Sequence, residues 1–436
     1  MEPADKTPKL APPMETPLER PAQPWRWVPS LYFAQGLPYV AVMTLSVVMY
    51  KNLGISNTDI ALYTSWLYLP WVIKPLWSPL VEKFGTRRGW TVLLQFVSGT
   101  ALAMVALLLP GPLQWRGTLA IFWLLAFSSA THDIAADGFY LHALKSHQQA
   151  AFVGVRSTAY RLAMIAGQGG LVWLAGFFAD RQGDAARGWS WVFASLAALF
   201  VAVAAWHAWV LPRPASDRPA SQSEGVGYLR VLATFFQRPD LARVLGFLLL
   251  YRFAESQLLK LVPPFLLDAR EAGGLGLTTQ QVGFVYGTVG VIALSVGGIL
   301  GGLAIARWGL KRLLWPMVIA MCAPNLVFVA LAIAQPSSVP LIAGACAVEQ
   351  FGYGFGFCAY LLYMMLVAGG EHRTAHYALC TGFMALGMML PGMPAGWLQE
   401  KLGYANFFVW VCVATLPAFF ATALVKVDPD FGRKTT

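Results

Sequence analysis

Charge is scarce in this chain. Charged residues make up 12% of its 436 residues, against 57% hydrophobic ones, about half the charged share of an ordinary soluble protein. A water-soluble globule of this size needs a charged coat, and this sequence lacks the residues to make one. Lipid is therefore its expected solvent. The N-terminus lacks the basic start, short apolar core and small-residue cleavage site of a signal peptide. It carries Pro3, Pro8, Pro12, Pro13, Pro17, Pro21 and Pro24 instead, and 1–26 reads as a disordered cytoplasmic tail. Cysteine is sparse as well. Cys322, Cys346, Cys358, Cys380 and Cys412 all fall in apolar stretches without C-x-x-C spacing, so they read as small buried apolar residues and no metal site is expected. The sequence has no H-E-x-x-H and no G-x-S-x-G, which speaks against a membrane-embedded transferase. No polar segment is long enough for a folded soluble sensor domain.

What is present is a series of apolar stretches, each near the roughly 20 residues that cross a bilayer as a helix. Twelve spans are expected, near 27–50, 59–83, 90–109, 117–144, 150–178, 188–211, 240–267, 279–306, 312–335, 339–369, 374–399 and 404–427. They divide into an N-terminal bundle over 27–211 and a C-terminal bundle over 240–427. Between them lies a Pro/Ser/Arg-rich interdomain loop, 212–239, and a short tail over 428–436 closes the chain. An even number of spans places both termini on one side. Most Lys and Arg outside the spans fall on that side, including Lys83, Arg87, Arg88, Arg213, Arg218, Arg230, Arg238, Arg307, Lys311 and Arg312. The other side holds Lys51, Arg116, Arg181, Arg187, Arg270 and Lys401. The positive-inside rule then makes both termini cytoplasmic. The net charge of +10 is in this light a topology signal and a contact for anionic lipid, and no nucleic-acid partner is expected. Gly297, Gly298, Gly301 and Gly302 form a small-residue face for close helix packing. Pro38, Pro70, Pro75, Pro263, Pro264, Pro391 and Pro394 interrupt the helical ladders of other spans.

The loop after span two reads Ser78-Pro79-Leu80-Val81-Glu82-Lys83-Phe84-Gly85-Thr86-Arg87-Arg88. After span eight comes Gly302-Leu303-Ala304-Ile305-Ala306-Arg307-Trp308-Gly309-Leu310-Lys311-Arg312. The same device six spans apart signals an internal repeat of two six-helix halves. Both copies resemble the G-x-x-x-D-R-x-G-R-R signature of the major facilitator superfamily. Within that superfamily, Gly36-Leu37-Pro38, Lys74-Pro75-Leu76-Trp77-Ser78-Pro79-Leu80, His132-Asp133-Ile134-Ala135-Ala136-Asp137 and Tyr160-Arg161-Leu162-Ala163-Met164 resemble AmpG-type muropeptide permeases and related siderophore and acetyl-CoA transporters.

The resemblance implies an all-α fold of two six-helix bundles related by a pseudo-two-fold axis along the membrane normal. It implies a monomeric secondary transporter of the bacterial inner membrane. The cargo would be a small anionic amino-sugar or peptide conjugate, driven by a proton gradient without a cofactor. Glu82, Gly85, Arg87, Arg88, Arg307, Gly309, Lys311 and Arg312 would form a cytoplasmic gate. Glycine permits the tight turn, and the acid would face a helix N-terminus and the arginines. Ala306 stands where the second copy would carry its acid, so only the first half is expected to have a full latch.

Ionisable groups inside spans are costly and functional by default. Asp133 and Asp137 lie at i,i+4 on one face of span four, and Arg156 and Arg161 in span five run past at similar depths, so ion pairs are expected there. His132 points about 100° away from Asp133. Span seven offers Arg252 and Glu255 at i,i+3 with Lys260 beyond, and span ten offers Glu349 beside Gln350. Proton coupling is expected among Asp133, Asp137, Arg156, Arg161, Glu255 and Glu349. Tyr32, Gln35, Tyr160 and Arg252 are expected to line the substrate path, because sugars stack on aromatic rings and bond to phenols and amides. Lys74 is expected either to snorkel to the cytoplasmic face or to touch substrate.

Overall fold

The computed structural model describes residues 23–215, 217–218, 224–369, 373–428 and 431–432. Helices dominate and no strand occurs among the described residues. Of the tail predicted over 1–26, residues 1–22 lie outside the described residues, as does most of 429–436, while Pro24–Arg26 forms a 3-10 turn.

The expected spans are present in two halves. Arg87–Leu108, Arg116–Ala143, Ala185–Val210 and Val339–Val367 are unbroken helices. Others are helices with local defects. Span one passes through a π-helical stretch at Ala41–Leu45, just after Pro38. Span five does so at Ala166–Leu171 and span eight at Gly283–Gly290. Gly403, at φ 73°, separates spans eleven and twelve.

Spans two, seven and eleven depart most from a simple rod. Span two breaks between Asn57–Trp66 and Leu69–Lys83. Span seven breaks between Leu241–Leu250 and Phe253–Leu267. Span eleven is interrupted after Gly392, where Pro394 precedes the next helix. Pro75, Pro79, Pro263 and Pro264, by contrast, lie inside continuous helices. Non-helical backbone at membrane depth is tolerated where it lines a cavity or is buried in protein, so these breaks mark the polar interior.

The interdomain stretch corrects the sequence reading. It was expected to be a loop, yet it contains the helix Glu224–Phe236. Leu232 and Phe235 are buried. Phe235 packs on the His376 and Phe383 rings of span eleven. The polar composition hid an amphipathic helix whose apolar residues need the second bundle's surface.

Small residues set the closest approaches, as the glycine face in span eight led one to expect. A Cβ at Gly297 would fall 2.2 Å from the Phe351 carbonyl oxygen, and one at Gly354 would fall 2.1 Å from that of Leu294. Spans eight and ten therefore touch backbone to backbone. The same device joins the halves: a Cβ at Gly287 would lie 2.0 Å from the Gln168 carbonyl oxygen, and one at Gly396 would lie 1.9 Å from that of Asn57.

Candidate functional site: a polar interior between two bundles

Four spans of the first bundle converge on the two aspartates. Asp133 accepts hydrogen bonds from the Gln35 amide at 2.9 Å and the Trp71 indole at 3.1 Å, with the Lys74 ammonium 3.9 Å away. Asp137 lies 2.8 Å from the Arg156 guanidinium and accepts from the Tyr32 hydroxyl at 3.2 Å. Arg156 also lies over the Tyr32 ring, 4.4 Å from its centroid. Both acids thus face span one, as their i,i+4 spacing requires, and each has its own cation.

Two expectations change here. Arg161 does not reach the aspartates; its guanidinium lies 3.3 Å from where a Gly298 Cβ would sit in span eight. Five residues along a helix rotate a side chain about 140° from the starting face, so Arg156 and Arg161 could not both meet span four. Lys74 neither snorkels nor faces open space but neighbours Asp133. Tyr160 packs instead against Gly36, while Gln35 and Tyr32 serve the aspartates directly.

His132 turns away from Asp133. Its Nε2 is 3.0 Å from the Gln95 amide nitrogen, Gln95 Oε1 is 2.9 Å from His207 Nδ1, and His207 Nε2 is 2.9 Å from the Ser30 hydroxyl. This buried chain ties spans one, three, four and six. Sequence reasoning missed His207 and Gln95 because a single polar residue in an apolar helix carries no spacing signal of its own.

The second bundle is organised differently. Arg252, expected to line the substrate path, lies three residues before Glu255. It sits in the break of span seven at φ −109°, ψ 19°, where the i,i+3 geometry of a helix is lost. Its guanidinium bonds the Tyr353 hydroxyl and lies over the Phe357 ring, 4.8 Å from the centroid. Neither carboxylate oxygen of the buried Glu255 has a hydrogen-bond partner. Glu349 Oε2 accepts from the Gln350 amide at 2.9 Å, and its Oε1 has no partner. Glu255 is within electrostatic reach of Arg252 as well as of Glu349 and Tyr286. The first bundle holds two neutralised acids, whereas the second holds two acids with free oxygens.

At the face away from the termini the halves are stitched together. Lys51 meets Asp268 at 2.6 Å, and Asp268 accepts from the Tyr404 hydroxyl at 2.6 Å. The Asn57 amide donates to Gln399 at 2.7 Å and to Tyr404 at 2.9 Å. Thr58 gives its hydroxyl and its N–H to Glu400 at 2.6 and 3.0 Å. Among the described side chains, every hydrogen bond or ion pair that crosses between bundles lies in this half of the molecule.

The gate loops at the other face serve their own surroundings. Gly85 adopts φ 136° and Gly309 φ 81°, so both turns use glycine for the expected reason. The side chain of Glu82 lies outside the described residues. The acid that caps the helix beginning at Arg87 is Asp217 of the interdomain segment, which accepts the N–H groups of Arg87 and Arg88 at 2.8 and 3.0 Å. Arg88 donates from Nε to the Leu211 carbonyl at 3.1 Å. In the second copy Arg307 lies over the Trp308 ring, and the Leu310 N–H donates to the Phe431 carbonyl at 3.0 Å. Lys311 and Arg312 are exposed.

Comparison with known proteins agrees with this architecture. The chain is similar to the anhydromuropeptide permease of Escherichia coli K12, 27% identical over 92% of this chain and 80% of that protein. The fold superposes on the nucleoside transporter NupG with a TM-score of 0.69 at 15% identity, covering 93% of this chain and 100% of that one. It superposes on a bacterial homolog of the human lysosomal transporter Spinster, in an inward-facing, unoccupied conformation, with a TM-score of 0.67 at 15% identity, covering 93% and 97%. The family model of the Major Facilitator Superfamily matches residues 30–392, and this multi-pass membrane protein belongs to that superfamily of transporters.

Proposed function

We propose that the chain is a proton-coupled importer of cell-wall muropeptides, N-acetylglucosamine joined to anhydro-N-acetylmuramic acid with or without peptide, acting as a monomer in a bacterial inner membrane with both termini cytoplasmic. The likeness to an anhydromuropeptide permease supports the cargo. The observation that carries the coupling is the buried acid pair of the second bundle, Glu255 and Glu349, with three carboxylate oxygens lacking partners. Two buried carboxylates near a single cation, Arg252, are costly to hold ionised together, and this supports a proton at the pair. Asp133 and Asp137 already have Lys74 and Arg156 and serve to hold span one against spans two, four and five.

In the cycle, the Lys51–Asp268 and Thr58–Glu400 contacts open toward the periplasm, cargo and proton enter together, and the outer face closes over them. The bundles then part on the cytoplasmic side, where water returns to the glutamates and the proton leaves. The test is uptake of labelled disaccharide into liposomes containing purified protein. Accumulation that requires an acidic exterior is expected. Equilibration without accumulation would overturn the coupling, and no uptake of the disaccharide by folded protein would overturn the cargo.

A further inference from the structure

Lys260 is a buried cation without a counter-ion. It is 5% exposed. Its ammonium donates to the Thr64 hydroxyl at 2.8 Å and lies over the Tyr68 ring, 5.2 Å from the centroid. Among the described residues no carboxylate pairs with it. An ammonium taken out of water is costly unless an anion joins it, and a hydroxyl and a ring face replace only part of its hydration. The groups around it are small and close-packed. Ser65, next to Thr64, has a buried hydroxyl without a partner. At Gly392 a Cβ would lie 2.9 Å from that hydroxyl, 3.4 Å from the Ser256 carbonyl oxygen and 3.6 Å from Lys260 Cγ. Spans two, seven and eleven supply these groups, and the helices of all three break in mid-course.

We propose that Lys260, with the Thr64 and Ser65 hydroxyls, is the subsite that binds the carboxylate of the cargo. Lys260 stands about 12 Å inside the Lys51–Asp268 contact along span seven, so it is the first unpaired cation that an anion meets after the outer face opens. A bound carboxylate takes the ammonium from Thr64. When cargo leaves, the ammonium returns to Thr64 across the bundle boundary. Arg252, held by Tyr353 and Phe357 deeper in the cavity, is left to the rest of the molecule. This inference rests on the muropeptide reading, in which the free lactyl group is the carboxylate.

The experiment compares the disaccharide carrying a free lactyl carboxylate with its lactyl methylamide in counterflow exchange, which needs no proton gradient. Wild type is expected to show a KM about ten-fold lower for the acid. Lys260→Gln should raise the KM for the acid to that of the amide and leave maximal rate and amide KM unchanged. Thr64→Val, which removes one hydroxyl of the subsite, should raise the KM for the acid alone, and it tests the subsite even if Lys260→Gln fails to fold. Equal KM values for acid and amide in wild type, or equal losses for both in the variants, would overturn the subsite. If folded wild type exchanges neither form, the cargo reading fails, and the subsite is then judged by melting of the purified proteins with succinate or succinamide. Succinate stabilising wild type but not Lys260→Gln supports it, and identical responses of the two proteins overturn it.

Discussion

At the scale of single residues, what separates the two bundles is whether a charge has a partner. Glu255 left in hydrocarbon would cost about 2.5–3.5 kcal/mol even on a lenient insertion scale, and its two oxygens have no hydrogen bond to offset that. Glu255→Gln and Glu349→Gln are therefore expected to abolish accumulation against a gradient while preserving counterflow, as measured in liposomes with and without a pH step. Loss of both activities together would assign the glutamates to cargo or packing. Asp137 behaves differently, because Arg156 and Tyr32 already satisfy it. Asp137→Asn should lower the melting temperature only slightly, the pair being partly exposed and so weakly stabilising, and should leave the pH dependence of uptake in place. The double change Glu255→Gln with Arg252→Gln should stay inactive, since Arg252 bonds Tyr353 and not Glu255. Restored uptake in that double variant would show the two charges to be a structural pair.

At the scale of elements, glycine and helix termini set the geometry. Span eleven lies so close to span two that a Cβ at Gly396 would overlap the Asn57 carbonyl. Gly396→Ala is expected to pry this face open, with a cysteine at position 58 becoming reactive to a membrane-impermeant maleimide added from the side away from the termini. Asp217 caps the helix that begins at Arg87 through two backbone N–H groups, where a negative charge also suits the helix dipole. Asp217→Ala should cost on the order of 1 kcal/mol and should expose the interdomain segment to protease from the cytoplasmic side. Unchanged cleavage would mean that Arg87 and Arg88 hold the segment by other means. Much of this level was legible beforehand. The paired glycine-and-arginine loops and the Gly297–Gly301 face follow from spacing that any helix obeys. The helix Glu224–Phe236 was not legible, because it lies in a Pro/Ser/Arg-rich stretch too short to span and its apolar residues gain their burial only against span eleven.

At the scale of the whole molecule, the closed face away from the termini defines the state. Its closure rests on polar contacts between the halves, among them Lys51–Asp268, Thr58–Glu400 and Gln280–Asp180, which involve charged groups. Lys51→Ala or Asp268→Asn is expected to shift the population toward outward-open, while Lys51→Asp with Asp268→Lys should recover the wild-type distribution, read as maleimide labelling from each side of the membrane. If the swap behaves like the single changes, the ion pair is a bystander and the backbone contact at Gly396 carries the closure.

Composition and periodicity were enough to show a membrane protein of twelve spans in two repeated halves, since crossing a bilayer demands a length and an apolarity that leave few alternatives. They also placed acids and bases inside the spans. They could not say which acid meets which base. Asp133 takes Lys74 and not Arg161, Arg252 bonds Tyr353, and Lys260 meets Thr64 and the Tyr68 ring. Each of these pairings joins residues far apart in the chain or turns on a break in a helix, and rotation about a helix axis is set by the neighbours that pack against it. The partners of buried charges are therefore a property of the assembled bundles, where the cost of leaving a charge alone is finally counted.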